Sequence, residues 1–256
     1  VAESRSIVVT GGSAGIGRAL VREFLGAGDR VVYCGRNAER LQSSLEPLLA
    51  EFPGRVAAVA ADVATGEGIE KLVGHALATF GSIDVLVNNG ASAESGNLQT
   101  LTDAQWQSEF DQKLMAMVRT ARAVFGVMEG QGGGTIVNIN SVFAKAPDTS
   151  FYASSVVRAG CLALTKLLAK EGAAHGIRAV AVGLGLVATE AWAAWCPADA
   201  TLEDFQMQMA GHYGVPVGRM ARPEEIAKVV RFLCSTDAAY ITGTQIDVDG
   251  GLSPCL

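Results

Sequence analysis

The sequence predicts an α/β protein: a single domain spanning residues 1–256, built on a doubly wound, seven-stranded parallel sheet with helices on both faces. Three observations carry that expectation. Short β-branched runs alternate with longer segments of helical period all the way to the C-terminus. The runs are apolar almost throughout, as strands covered on both faces are, and do not alternate apolar with polar. A cluster of glycines separates the first run from the first helical segment.

Taken in order, the strand candidates are 6–10 (SIVVT), 30–34 (RVVYC), 55–60 (RVAAVA), 83–88 (IDVLVN), 135–140 (TIVNIN), 177–182 (IRAVAV) and 244–249 (TQIDVD). Between them, IGRALVREFLGAG, AERLQSSLEPLLAEF, GIEKLVGHALATFG, DAQWQSEFDQKLMAMVRTARAVFGVM, YASSVVRAGCLALTKLLAKEGAAHG and RPEEIAKVVRFLCS repeat apolar residues at three and four, the spacing of an amphipathic helix. Right-handed crossovers through such helices give the parallel sheet. The stretch 189–217, between the sixth strand and the last helix, breaks the rhythm. It carries Trp192, Trp195, Phe205, Met207, Met209 and Tyr213, and a connection of this length is expected to be a substrate lid or an aromatic-rich insertion packed on the core.

Composition excludes several classes. With 49% hydrophobic and 18% charged residues, the chain buries too much apolar surface to be disordered. A net charge of −6 without any block of like charges excludes a nucleic-acid surface, which needs clustered Lys and Arg. The longest apolar run, AVAVGLGLVA, is too short for the ~20 residues of a membrane span, and no basic segment followed by an apolar one precedes the first strand. A cytoplasmic protein without membrane or nucleic-acid partners is expected. The five cysteines are odd in number and irregularly spaced, and the three histidines are scattered, so neither a disulfide framework nor a metal site is expected.

The glycine cluster reads TGGSAGIG. Gly11, Ser13, Ala14, Gly15, Ile16 and Gly17 lie between strand and helix, where small residues let the backbone approach a pyrophosphate and the free N–H groups of the helix start favour an anion. The pattern predicts the phosphate loop of a dinucleotide-binding Rossmann domain. At the end of the second strand a site for NAD would place an acid on the ribose 2′-hydroxyl; here stand Arg36 and Asn37, and a guanidinium suits a 2′-phosphate. NADP is the expected cofactor, with NAD as the alternative.

With these residues in hand, the chain resembles the short-chain dehydrogenase/reductase family over its whole length: TGGSAGIG, Asp62–Val63, NNGA at 88–91, IVNINS ending at Ser141, Tyr152, and the C-terminal RMARPEEIAKVVRFLCSTDAAYITGTQIDVDGG. The resemblance implies that Asp62 and Val63 frame the adenine, Asn89 and Gly90 lie against the adenosine ribose, and Thr189 meets the nicotinamide amide. It implies further that Ser141 holds the substrate carbonyl and Tyr152 passes the proton. A homodimer or homotetramer is expected on the same ground.

The chain departs from the family pattern at four points. Val156 stands four residues after Tyr152, where the family has a lysine; Lys113 replaces an asparagine; Val180 and Leu184 replace asparagine and proline; and Ser141 precedes Tyr152 by eleven residues, fewer than is usual. A free phenol has a pKa of ~10, and the lost ammonium would have lowered it. Lys113 is therefore expected to supply the missing cation. Arg158, about 200° around the helix from Val156, is expected to be structural, and Lys145 is a further candidate for reaching substrate. Together these residues predict an NADPH-dependent ketoreductase acting on an apolar or ring-containing small-molecule carbonyl. The same residues also fit a nucleotide-binding module without redox turnover, or a lyase or isomerase using Tyr152.

Overall fold

The computed structural model describes residues 4–90, 94 and 96–255. Seven parallel strands form one sheet: β1 (Ser6–Val9), β2 (Arg30–Gly35), β3 (Val56–Ala60), β4 (Val85–Asn88), β5 (Gly134–Ser141), β6 (Ile177–Leu184) and β7 (Gln245–Val248). Their order is β3-β2-β1-β4-β5-β6-β7, so the direction of winding reverses between β1 and β4. Ligands of open α/β sheets bind outside the carboxyl ends of the strands at this reversal. Every strand run expected from the sequence is present, within two residues at each end.

The helices are α1 (Gly15–Gly26), α2 (Ala38–Glu51), α3 (Gly66–Phe80), α4 (Asp103–Glu109), α5 (Ala116–Gly130), α6 (Tyr152–Gly172), α7 (Leu202–His212) and α8 (Pro223–Leu233). Two apolar layers enclose the sheet. One gathers Leu20, Phe24, Ile226 and Val230 of α1 and α8 against Val9, Tyr33, Val87 and Val182. The other gathers Leu72, Ala76, Val124 and Met128 of α3 and α5 against Val8, Val32, Leu86 and Ile136. Complete burial of a Leu or Phe side chain stabilises the fold by roughly 1.5–3 kcal/mol, so these two layers carry the structure.

Two elements differ from a simple reading of the sequence. The segment written above as one helix, DAQWQSEFDQKLMAMVRTARAVFGVM, is interrupted at Phe110–Met115 by a turn of π-helix between α4 and α5. A π turn inserts an extra residue into the helical ladder and rotates the side chains that follow it. Helix α6 is long and apolar enough to span a membrane by length and composition. In the fold it packs along β5 and β6, burying Ala153, Val157, Cys161 and Leu168.

Candidate active site

The first βα unit builds the phosphate end of the site. Gly11 and Gly15 take positive φ angles of 65° and 50°, a conformation that costs a side chain but not glycine. Gly17 allows α1 to lie against the loop: a Cβ there would fall 2.0 Å from the Gly11 carbonyl oxygen. The Thr10 hydroxyl accepts the Asn89 N–H at 2.8 Å, while Asn89 Nδ2 donates to the Thr10 carbonyl at 2.9 Å and the Gly11 carbonyl at 3.2 Å. The turns after β1 and β4 are thus pinned together at the winding reversal. Helix α1 begins after Ala14, which offers no side-chain cap, and its first turn holds no acid. Its free N–H groups and positive dipole end are available to an anion.

A cleft of about 850 Å³ opens over these turns. Its walls include every cofactor-binding residue expected from the sequence: Gly11, Ser13, Ala14, Gly15, Ile16, Gly17, Arg36, Asn37, Asp62, Val63, Asn89, Gly90 and Thr189. Ala91, the last residue of the NNGA motif, lies outside the described residues. Arg40, in the first turn of α2, lines the cleft as well, so two guanidinium groups stand at the end of β2. The residues present therefore fit a dinucleotide: an uncapped helix start for a pyrophosphate and a cationic pair beside the second strand. Cys34 also lines the cleft, and burial pushes its thiol up to about 11, which makes it a packing residue and not a nucleophile.

Lys113, from the π turn, enters the opposite end of the cleft. It is only 2% exposed. It is ion-paired with buried Glu109 one turn earlier, and its Nζ donates to Ser154 Oγ at 3.0 Å. The second Glu109 oxygen accepts the Glu94 N–H at 2.7 Å. Half-buried Arg158 lines the same part of the cleft and donates from Nη1 to the Ile139 carbonyl at 2.6 Å. Burial, and then the Arg158 charge, pull the Lys113 ammonium down to about 8 against the opposing pull of Glu109. Burial likewise lowers the Arg158 guanidinium from its usual value.

On α6 the structure brings Arg158, expected to be structural, to the cleft. Among the described residues, α6 lines this cleft through Arg158, and Tyr152, Ser141 and Ser154 stand outside its lining; the Tyr152 ring is edge-on to Trp106, with centroids 6.1 Å apart. Val156, one turn on, is 57% exposed. Ser154 and Arg158 repeat the four-residue spacing two residues later, and two residues turn a helix by about 200°. The angle that seemed to direct Arg158 away from the site is the angle that brings it in. Lys113 does reach the cleft as expected, but it meets Ser154 and not the surroundings of Val156. Ser141, at the end of β5, is half-buried; its hydroxyl accepts the Phe143 N–H at 3.2 Å and donates to the Leu184 carbonyl at 3.4 Å. Lys145 is held by Asp247 at 2.7 Å.

Residues 189–217 hold a short 3-10 turn at Glu190–Ala194 followed by α7. Thr189, Glu190, Ala191 and Ala194 line the cleft, and Glu190 is ion-paired with Arg18 of α1 across the phosphate loop. Trp192 packs edge-on against Trp195 and Phe205 at 5.7 and 6.3 Å, and donates from Nε1 to the Val187 carbonyl at 2.9 Å.

Comparison with known proteins agrees with this architecture. A family model described as enoyl-(acyl carrier protein) reductase matches residues 11–253. The chain belongs to the short-chain dehydrogenase/reductase family. It is 32% identical to a 3-oxoacyl-[acyl-carrier-protein] reductase of Chlamydia pneumoniae over 249 residues, covering 97% of each chain. Among solved structures it is similar to L-sorbose reductase from Gluconobacter frateurii in complex with NADPH and L-sorbose, with a TM-score of 0.93, 32% identity and coverage of 99% and 98%. It is equally similar in fold to an NADPH-bound short-chain oxidoreductase of Pseudomonas aeruginosa PAO1 described as containing an atypical catalytic center, with a TM-score of 0.93, 34% identity and 98% coverage of both chains.

Proposed function

We propose that the protein is an NADPH-dependent ketoreductase in which Ser154 and Arg158 take the places of the family's tyrosine and lysine, with Lys113 as the acid behind Ser154. The observation that carries this reading is the hydrogen bond from Lys113 to buried Ser154, with Lys113 and Arg158 both lining the cleft. When bound, the reduced nicotinamide supplies the hydride. A serine hydroxyl is a weak acid by itself, but it can give its proton to the nascent alkoxide while accepting another from an ammonium already hydrogen-bonded to it. Lys113, held at about 8, is mostly protonated at neutral pH and close enough to the working range to release a proton. Arg158 would hold the nicotinamide ribose, and Ser141 would orient the carbonyl oxygen.

Arg36 and Arg40 support the choice of NADPH over NADH, since a pair of guanidinium groups matches a 2′-phosphate. The aromatic segment after β6 supports an apolar or ring-containing substrate, with residues 189–217 acting as its lid. We place the enzyme in the cytoplasm as a homodimer or homotetramer. Phe110, Val156 and Leu167 remain 40%, 57% and 62% exposed along the π turn and α6, and a second copy would cover them.

The test is a fluorescence titration with NADPH and NADH, followed by NADPH consumption with a panel of cyclic, aliphatic and 3-oxoacyl thioester ketones. Tight NADPH binding with turnover of at least one ketone is expected. Binding without consumption across the panel would favour a module without redox chemistry.

A further inference from the structure

Glu109 has no role in the chemistry described so far, yet it is one of the most deeply buried charged residues in the fold, at 2% exposed. Its two carboxylate oxygens are separately engaged. One takes the Lys113 ammonium, and the other takes the Glu94 N–H, which ties it to the connection after β4. A buried ion pair stabilises a fold poorly, because desolvating two charges costs about as much as their attraction returns. The pair's location, one hydrogen bond from Ser154, suggests a different purpose. Resting on the ketoreductase reading above, we propose that Glu109 is a positioning residue that keeps Lys113 charged and aimed at Ser154, and so sets the pH range in which the site can deliver a proton.

The charged and titratable groups facing Lys113 decide the sign of the effect. From its own helical segment comes Glu109; from α6 come Arg158 and the Cys161 thiol, with the neutral Ser154 hydroxyl between them. Burial and Arg158 both favour the neutral amine, and Glu109 is the main group opposing them. Without Glu109, Lys113 would lose its proton at a lower pH. Its N–H vector would also be freed, since among the described residues the carboxylate and Ser154 are the partners that fix the ammonium. The i,i+4 spacing brings the carboxylate and ammonium to one face. The π turn begins directly after Glu109, so the pair straddles the point where the ladder loosens.

The direct test is NMR titration of lysine labelled with ¹³C at Cε, with the Lys113 resonance assigned by its loss in Lys113→Met. Glu109→Gln is expected to lower the Lys113 midpoint by one pH unit or more, the usual effect of removing one close opposite charge. Glu109→Asp keeps the charge at a shorter reach and is expected to fall between the two, and it serves where Glu109→Gln does not fold. In ketone reduction the acid form is needed, so activity falls as pH rises through the Lys113 midpoint. The alkaline limb of kcat should therefore move down by the same amount in Glu109→Gln, with KM for NADPH unchanged. An unmoved Lys113 midpoint in both variants would overturn the proposal, as would a kcat lowered equally at every pH. A wild type that turns over no ketone would defeat the functional reading alone, since the NMR midpoint still reports on Glu109.

Discussion

Removing the two guanidinium groups at the end of β2 should separate NADPH from NADH. Arg36 and Arg40 line the cleft where strand β2 delivers it, and no acid stands there to hold a ribose 2′-hydroxyl. A hydrogen bond to a charged group contributes about 1.5–3 kcal/mol, and both side chains are exposed, which places each at the low end of that range. At ~1.4 kcal/mol per factor of ten, Arg36→Ala or Arg40→Ala should weaken NADPH binding about tenfold, and the double variant about 100-fold. NADH lacks the phosphate and should change by less than about threefold under the same arithmetic. Fluorescence titration of both nucleotides at low and high ionic strength measures this, and the wild-type preference should shrink as salt rises. If NADPH and NADH lose affinity equally in the double variant, the arginines do not read the 2′-phosphate and the argument fails.

Three further outcomes follow from the geometry. Lys113→Met should lower ketone reduction about 100-fold at pH 7, the low end of general-acid contributions, with NADPH affinity nearly unchanged; in the wild type, kcat should fall as pH rises through about 8, because the protonated amine is the acid. Gly17→Ala should destabilise the fold by about 3 kcal/mol in urea unfolding, since its Cβ would fall 2.0 Å from the Gly11 carbonyl oxygen. Glu225 is held down at about 2, first by the Arg219 guanidinium and next by the Arg222 N–H. A depressed carboxylate stabilises the fold above its unfolded value and ceases to as pH falls through the folded one. The melting temperatures of wild type and Glu225→Gln should therefore differ at pH 6 and converge below about pH 2.

The fold was legible because its signals are local. Each strand is a short β-branched run such as SIVV or RVVYC, and the phosphate loop declares itself by glycines whose spacing the turn requires. The catalytic end was only half legible. Lys113 stood out as a charge at an unusual position, but its burial depends on the π turn and on α6 packing beside it, neither of which a helical period reveals. Glu109 was missed for the same reason, because a Glu and a Lys four apart read as a solvated surface pair. On the proposed reading, the aromatic Tyr152 drew the register of α6 two residues early. The short interval from Ser141 was the signal that pointed past it, because Ser154 and Arg158 repeat the four-residue spacing further along α6 and Arg158 lines the cleft.

The central claim is that proton delivery runs through Ser154 and not through Tyr152. It is tested most directly by the steady-state kcat for NADPH-dependent ketone reduction in Ser154→Ala and Tyr152→Phe, measured side by side at pH 7. Loss of the relaying hydroxyl should cost about 100-fold or more in Ser154→Ala. Tyr152→Phe, which keeps the ring against Trp106, should stay within about threefold of wild type. The reverse pattern, with Tyr152→Phe inactive and Ser154→Ala active, would contradict the account.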